Sequence, residues 1–232
     1  MEEARFRHEL KYNITTQQAA CLLARMRCVL KPDPHVGPSG AYNIRSLYFD
    51  DYADTCLQQN LAGTDPRQKY RIRIYNRSAD RISLELKRKV RGKTQKLSCP
   101  LTELQCRQLM AGRPLTGEQL HNAPELLVRF CAEMHTRLLR PKVIVEYDRV
   151  PYICPLGNVR VTLDCNISSS TAVERFLDKN IPLRPIMTVG SQLMEVKFDD
   201  FLPDVIYHGL QLKNLRQTSF SKYYLCRKYE LK

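Results

Sequence analysis

The chain is dominated by short segments in which polar and apolar residues alternate, a pattern typical of β-strands whose two faces meet different surroundings. The clearest case is Lys69 to Tyr75, in which one lysine and two arginines alternate with aromatic and aliphatic residues. The same period predicts about eight strands, at Arg5 to Ile14, Tyr42 to Asp50, Lys69 to Tyr75, Arg81 to Val90, Lys93 to Leu101, Lys142 to Cys154, Asn158 to Ile167 and Gln192 to Phe198. Most of these segments carry a row of charges opposite a row of hydrophobic residues.

Apolar residues at helical spacing predict three amphipathic helices, over residues 15–30, 124–138 and 210–225. Thr15 precedes the first of them and can cap its N-terminus. Thr102 stands in the same position before a further short helical stretch. Strands and helices together predict an α+β fold.

Two arrangements place charged and apolar rows on opposite faces of such strands. In an open antiparallel sheet the charged rows face water. In a closed barrel of about eight strands the interior can hold a ligand, and the charged rows can line it. The apolar helix faces favour the second arrangement, because they can cover the outside of a barrel. We therefore predict an eight-stranded antiparallel β tunnel with a basic lumen, covered outside by amphipathic helices, and a single domain over residues 1–232.

The charge balance points to an anionic partner. The chain has 37 Lys and Arg against 24 Asp and Glu, a formal net charge of +13. This charge suits nucleic acid, an anionic membrane or a small polyanion equally well. We predict no nucleic-acid partner, because the cations lie in strand rows without interleaved exposed aromatic residues and the chain has no Trp.

The sequence also predicts a soluble, cytoplasmic protein. No apolar run approaches the roughly 18 residues that cross a bilayer, and the N-terminus lacks the apolar core of a signal peptide. The nine cysteines include no CxxC pair, which fits a reducing compartment better than a disulfide framework or a zinc site.

Seven short motifs occur in order along the chain. They are R-x-E-x-K-Y at 7–12, R-S-L-Y-F-D at 45–50, K-Y-R-I-R at 69–73, L-E-L-K at 84–87, E-Y-x-R at 146–149, M-E-V-K at 194–197 and F-S-K-Y at 220–223. Each motif is weak alone, but the ordered set resembles the VTC domain, the polyphosphate polymerase branch of the triphosphate tunnel metalloenzymes. The resemblance implies a basic tunnel that holds ATP and a growing polyphosphate chain with a divalent cation, Mn²⁺ first and Mg²⁺ as the alternative.

The resemblance also implies site residues. The predicted catalytic cations, which also bind substrate, are Lys11, Arg71, Arg73, Lys87, Lys96, Arg149, Arg160 and Lys222. Lys93 and Lys197 are predicted as additional substrate-binding residues. Glu195 is the predicted metal ligand, with Glu9 and Glu85 as second choices.

Two of these assignments stay open in the sequence. Lys93 and Lys96 compete for one position in the tunnel. Arg149 and Glu146 have opposite strand parity, so one of them points outward unless a bulge intervenes; we favour Arg149 inside.

The predicted residue types suit phosphoryl transfer, in which the protein mainly positions the reactants and stabilises charge. Arginine gives planar, bidentate donors to phosphate oxygens and lysine a mobile point charge. Three functions remain open: an ATP-dependent polyphosphate polymerase, a hydrolase of tripolyphosphate or a nucleoside triphosphate, and a non-catalytic polyphosphate-binding module that serves a membrane-protein partner.

Overall fold

The structure is a computed structural model that describes residues 6–212 and 215–230. Ten strands form in these residues: β1 (His8–Thr15), β2 (Lys31–Pro32), β3 (Tyr42–Asp50), β4 (Arg67–Tyr75), β5 (Ser78–Val90), β6 (Lys93–Leu101), β7 (Arg140–Cys154), β8 (Val159–Ser170), β9 (Arg184–Pro185) and β10 (Ser191–Phe198). Six α-helices accompany them: α1 (Thr16–Met26), α2 (Thr55–Leu61), α3 (Glu103–Met110), α4 (Glu125–Thr136), α5 (Asp204–Leu210) and α6 (Lys222–Glu230).

All the strands belong to one antiparallel sheet. Its main path runs β1-β10-β8-β7-β3-β4-β5-β6, while β2 pairs with β7 and β9 with β8. The α+β class is confirmed, but the predicted eight strands become ten. The two additional strands have two residues each, too few to show alternation in a sequence. The first predicted strand begins at His8 in the structure, and Arg5 lies outside the described residues.

The prediction of a closed barrel is wrong, because the hydrogen-bonded ladder of strands does not close. Within the part of the chain described, the edge strands β1 and β6 meet at one isolated bridge between Arg7 and Thr94. Its two backbone N–H···O contacts measure 2.8 and 2.9 Å. Closure by a full ladder depends on strand tilt and stagger around the whole sheet, which local alternation does not encode. The sheet is therefore curved around an interior, with a seam between β1 and β6.

The strand register brings the charged rows together on the concave face. In the β4–β5 pair, Lys69 lies opposite Lys87, and Arg71 lies opposite Glu85. In the β1–β10 pair, Lys11 lies opposite Glu195. Side chains alternate along a strand, so these residues share one face of the sheet.

Two hydrophobic cores cover the convex face, and two of the three predicted covering helices, over 15–30 and 124–138, contribute to them. Apolar residues of β3, β4 and β5 pack with α3 and α4 in one core, and those of β8 and β10 pack with α1 and α5 in the other. Thr15 and Thr102 each accept a backbone hydrogen bond in a capping box at the start of α1 and α3, which confirms their predicted role. Among the residues described, every helix is too short or too polar to cross a bilayer.

The predicted helix over 210–225 is wrong in extent and in position. α5 ends at Leu210 and α6 begins at Lys222, and the described residues between them are not helical. Tyr223 of α6 packs with Tyr48 and with other residues of β3, β7 and β10 on the concave side. Its hydroxyl donates to Asp50 Oδ2 at 2.5 Å. The last helix therefore occupies one end of the interior instead of covering the exterior.

Candidate functional site

The concave face of the sheet encloses a cavity of about 1100 Å³. Twelve lysine and arginine side chains line it: Arg7, Lys11, Lys69, Arg71, Arg73, Lys87, Lys96, Arg129, Arg149, Arg160, Lys197 and Lys222. Four carboxylates line it as well: Glu9, Glu125, Glu195 and Asp199. The excess of cations gives the lining a positive charge, which attracts anions.

The structure places most of the predicted site residues in this lining. The eight predicted catalytic cations line the cavity, and so do Lys197, Glu195 and Glu9. Lys93 and Glu85 do not. Lys93 is exposed beside the turn between β5 and β6, whereas Lys96 lies in the lining. Arg149 also lies in the lining, while Glu146 pairs with the buried Arg45, and the β7–β8 register shifts between Glu146 and Asp148.

Glu85 lies behind the lining and holds three of its cations. Its carboxylate is 2.7 Å from Arg71, 3.6 Å from Arg73 and 3.2 Å from Lys96. Burial raises the pKa of Glu85, but the charges of Arg73, Arg71 and Lys96 outweigh this effect and keep the pKa well below its ordinary value. An ionised Glu85 fixes two guanidinium groups at one wall of the cavity.

Asp164 holds Arg149 and Lys222 as Glu85 holds its three cations. It is fully buried, accepts two hydrogen bonds from Arg149 at 2.7 and 2.8 Å, and lies 2.6 Å from Lys222 Nζ. Burial raises the pKa of Asp164, but the charges of Arg149 and Lys222 outweigh burial and keep the pKa below its ordinary value. The carboxylate is therefore ionised. The first residue of α6 is thereby tied to the middle of β8.

Glu9 connects the two edge strands across the seam. Its carboxylate lies 2.7 Å from Lys87 Nζ and 3.1 Å from Lys11 Nζ, and it accepts a 2.8 Å hydrogen bond from Thr94 Oγ1. Burial raises the pKa of Glu9, but Lys87 and Lys11 outweigh burial and lower the pKa to about 2. These contacts hold β1 against β5 and β6 where the backbone ladder is open.

Arg160 is positioned by a residue that the sequence did not point to. Its guanidinium is 2.8 Å from Asp33 and donates to the hydroxyl of Tyr42 at 2.9 Å. Asp33 follows the short strand β2, which pairs with β7. No charged row marks this segment, so sequence reasoning had no signal for Asp33.

Lys69 is a cavity residue that the motifs left unassigned. Its Nζ donates to Ser221 Oγ at 3.3 Å and lies 5.7 and 5.8 Å from the ring centroids of Tyr48 and Tyr223. Within the described residues no carboxylate lies within 4.0 Å of Lys69. Burial and the neighbouring Lys11 lower the pKa of Lys69 to about 8, against the opposing effect of Tyr48. The alternating row of β4 was the signal that could have identified it.

The lining offers one pair of carboxylates for a divalent cation. In the described part of the chain no group of three or more His, Cys, Asp or Glu residues is arranged to hold a metal ion. Glu9 and Glu195 nevertheless share one part of the cavity lining, because Lys11, which lies 3.1 Å from Glu9, pairs with Glu195 in the β1–β10 register. Burial raises the pKa of Glu195, but Lys197, 3.0 Å away, outweighs burial, and the pKa is well below the ordinary value. Mg²⁺-type sites commonly use one or two carboxylates plus substrate phosphates, so this pair fits such an ion better than the fully paired Glu85.

An antiparallel sheet curved around a cavity lined by cations defines the triphosphate tunnel class of proteins. Two solved structures share the fold. One is HpAC1 from Hippeastrum, a candidate adenylyl cyclase described as having a dominant triphosphatase activity, with TM-score 0.56, 14% identity and coverage of 96% of both chains. The other is a candidate adenylate cyclase from Bacillus halodurans, with TM-score 0.51, 13% identity and coverage of 89% of this chain and 87% of that one. Identities this low show the fold alone.

Comparison of the sequence with models of protein families identifies the family of the chain. The VTC domain model matches residues 6–230 of the chain. A search of curated proteins found no match. The chain belongs to the VTC domain family, within the triphosphate tunnel metalloenzymes, and the predicted resemblance is confirmed. This superfamily implies a triphosphate ligand and a divalent cation.

Proposed function

We propose that this VTC domain is an ATP-dependent polyphosphate polymerase that transfers the γ-phosphoryl group of ATP to the end of a polyphosphate chain. The observation that carries the proposal is the cavity itself, in which twelve cations face four carboxylates over about 1100 Å³. A donor triphosphate and an acceptor chain both bring negative charge, and this lining suits two phosphate-rich ligands held side by side.

The chemical step needs positioned donors more than covalent chemistry. A terminal oxygen of the polyphosphate chain attacks the γ-phosphorus, the bond to the β–γ bridging oxygen breaks, and ADP leaves with the chain longer by one phosphate. The guanidinium groups of Arg71 and Arg149 are held by Glu85 and Asp164, so they can meet the charge of the transferring group without reorganisation.

Glu195 and Glu9 would hold the divalent cation, with Mn²⁺ as the first candidate and Mg²⁺ as the second. When bound, such an ion neutralises phosphate charge beside the two carboxylates. Lys11, Lys87 and Lys197 surround this pair and would bind the oxygens that the ion leaves free.

The nature of the acceptor separates the polymerase from a hydrolase. A terminal phosphate oxygen is already anionic and needs no general base, whereas water must lose a proton. The carboxylates of Glu9 and Glu195 are ionised but paired with lysines, which weakens them as bases. Hydrolysis of tripolyphosphate or a nucleoside triphosphate is the second candidate, favoured by the fold shared with a protein described as a triphosphatase. A non-catalytic polyphosphate-binding module is the third.

Incubation with ATP and Mn²⁺ or Mg²⁺, with and without a short polyphosphate primer, tests the proposal. Long phosphate chains with one ADP per added phosphate would support the polymerase. Orthophosphate without chain growth would replace it with the hydrolase, and tight polyphosphate binding without turnover would leave the binding module. Arg113→Gln is a matched control for Arg71→Gln, because Arg113 is exposed and does not line the cavity.

The partner protein and the cellular location are proposals as well. A membrane-protein partner that receives the product and a cytoplasmic location are both predictions. Fractionation of cells, followed by co-purification from the membrane fraction, would test them together.

A further inference from the structure

A second, smaller cavity of about 340 Å³ lies where β4, β5, α2 and the end of α4 meet. Arg67, Arg88 and Arg137 line it, together with Gln59 and Gln68. None of its lining residues lines the main cavity, and its lining contains no carboxylate. Its volume falls in the lower part of the range of small-molecule sites, about 300 to 1000 Å³.

The three arginines differ in how their charge is compensated. Arg137 is held by Asp51 at 2.8 Å and by Glu133 at 3.0 Å. Arg67 donates to the carbonyl of Thr64, and Arg88 donates to a glutamine side chain, so both use neutral acceptors. Within the described residues no carboxylate lies within 4.0 Å of either guanidinium.

The strand register sets Arg67 and Arg88 at neighbouring positions of the β4–β5 pair. Arg67 lies directly opposite Lys89, and Arg88 is the next residue along β5. Guanidinium groups match the geometry of phosphate oxygens, so both arginines can bind an anion in this cavity.

We infer that this cavity is a second anion site, in which Arg67 and Arg88 bind the phosphoryl groups of a small phosphorylated ligand and Arg137 orients them. The inference goes beyond the proposed function, because the site is separate from the cavity in which transfer would occur. The same chemistry can come from a free small anion or from the outer part of a polyphosphate chain.

Calorimetric titration of the full chain with pyrophosphate at low salt tests the site. The wild-type protein should show a tight class of binding and a weaker one. Arg67→Gln combined with Arg88→Gln should weaken the second class about tenfold or more and leave the first unchanged. The control double variant Arg113→Gln with Lys179→Gln removes the same charge from exposed positions outside both cavities and should retain both classes.

A second titration, with long-chain polyphosphate, identifies the source of the anion. An affinity for the long chain that falls about tenfold in the Arg67 and Arg88 variant assigns the site to a chain that spans both cavities. An unchanged long-chain affinity, with the weaker pyrophosphate class lost, assigns it to a free small anion. The inference is overturned if the wild-type protein shows a single class of sites, or if the variant keeps the second class. Both titrations measure binding, so their results can be interpreted even if the protein lacks the proposed polymerase activity.

Discussion

Replacing Glu85 by glutamine should destabilise the ligand-free protein more than any exposed charge change. Glu85 is almost fully buried and faces Arg71, Arg73 and Lys96 at 2.7, 3.6 and 3.2 Å. Removing one partner of a buried ion pair costs about 3 to 5 kcal/mol, because the remaining charges stay buried without compensation. For a chain of this length the melting temperature should fall by roughly 6 to 20 °C.

Thermal unfolding of the wild type, Glu85→Gln and a matched control measures this effect. Glu103→Gln breaks an exposed pair with Arg107 on α3 and should change the free energy of unfolding by about 1 kcal/mol or less. Tripolyphosphate should reduce the deficit of Glu85→Gln, because phosphate oxygens then compensate the arginines. Equal losses in the two variants would refute the view that Glu85 organises the cavity wall.

The pH dependence of that loss follows from the lowered pKa of Glu85. A carboxylate whose pKa is lower in the folded state stabilises the protein at pH values above its unfolded pKa. The contribution is lost as the pH falls below 4.5 toward the folded pKa. The difference in stability between the wild type and Glu85→Gln should therefore be constant near neutral pH and shrink in acid.

Three further outcomes are expected. Glu195→Gln should abolish metal-dependent turnover and retain tripolyphosphate binding; full turnover across a Mn²⁺ titration would show that Glu195 does not hold the ion. Arg73→Ala should weaken tripolyphosphate binding by about 2 kcal/mol, roughly thirtyfold, in calorimetry, and unchanged affinity would separate Arg73 from the ligand. The affinity of the wild type should fall as the pH rises through about 8, where Lys69 loses its proton, and Lys69→Arg should flatten this dependence; identical pH profiles would contradict the assignment.

The sequence was informative wherever one strand face meets the cores and the other meets the cavity. In β4 the alternation places Arg71 and Arg73 on the face opposite Ile72, and the structure has the same arrangement. A period of two is a local property, so it is readable without knowledge of the strand's neighbours. The α+β class and the concave rows of cations follow from it.

Contacts between segments that lie far apart in the chain could not be predicted from this alternation. The open seam depends on how β1 and β6 meet at Arg7 and Thr94, which lie far apart in the chain. The contacts of Asp164 depend on the β7–β8 register for Arg149 and on the placement of α6 for Lys222. Charge alternation identified the cations, but their carboxylate partners belong to the tertiary structure.

Four carboxylates of the interior form two pairs that serve different purposes. Glu85 and Asp164 lie behind the lining and bind arginines, so they orient donors without meeting a ligand. Glu9 and Glu195 lie in the lining itself, where a phosphate beside them would be repelled. Carboxylates at that position favour phosphate binding only when a cation stands between the two anions. The position of these two residues in the lining, unlike that of Glu85 and Asp164 behind it, is therefore the argument within the chain for a divalent cation in addition to the neighbouring lysines.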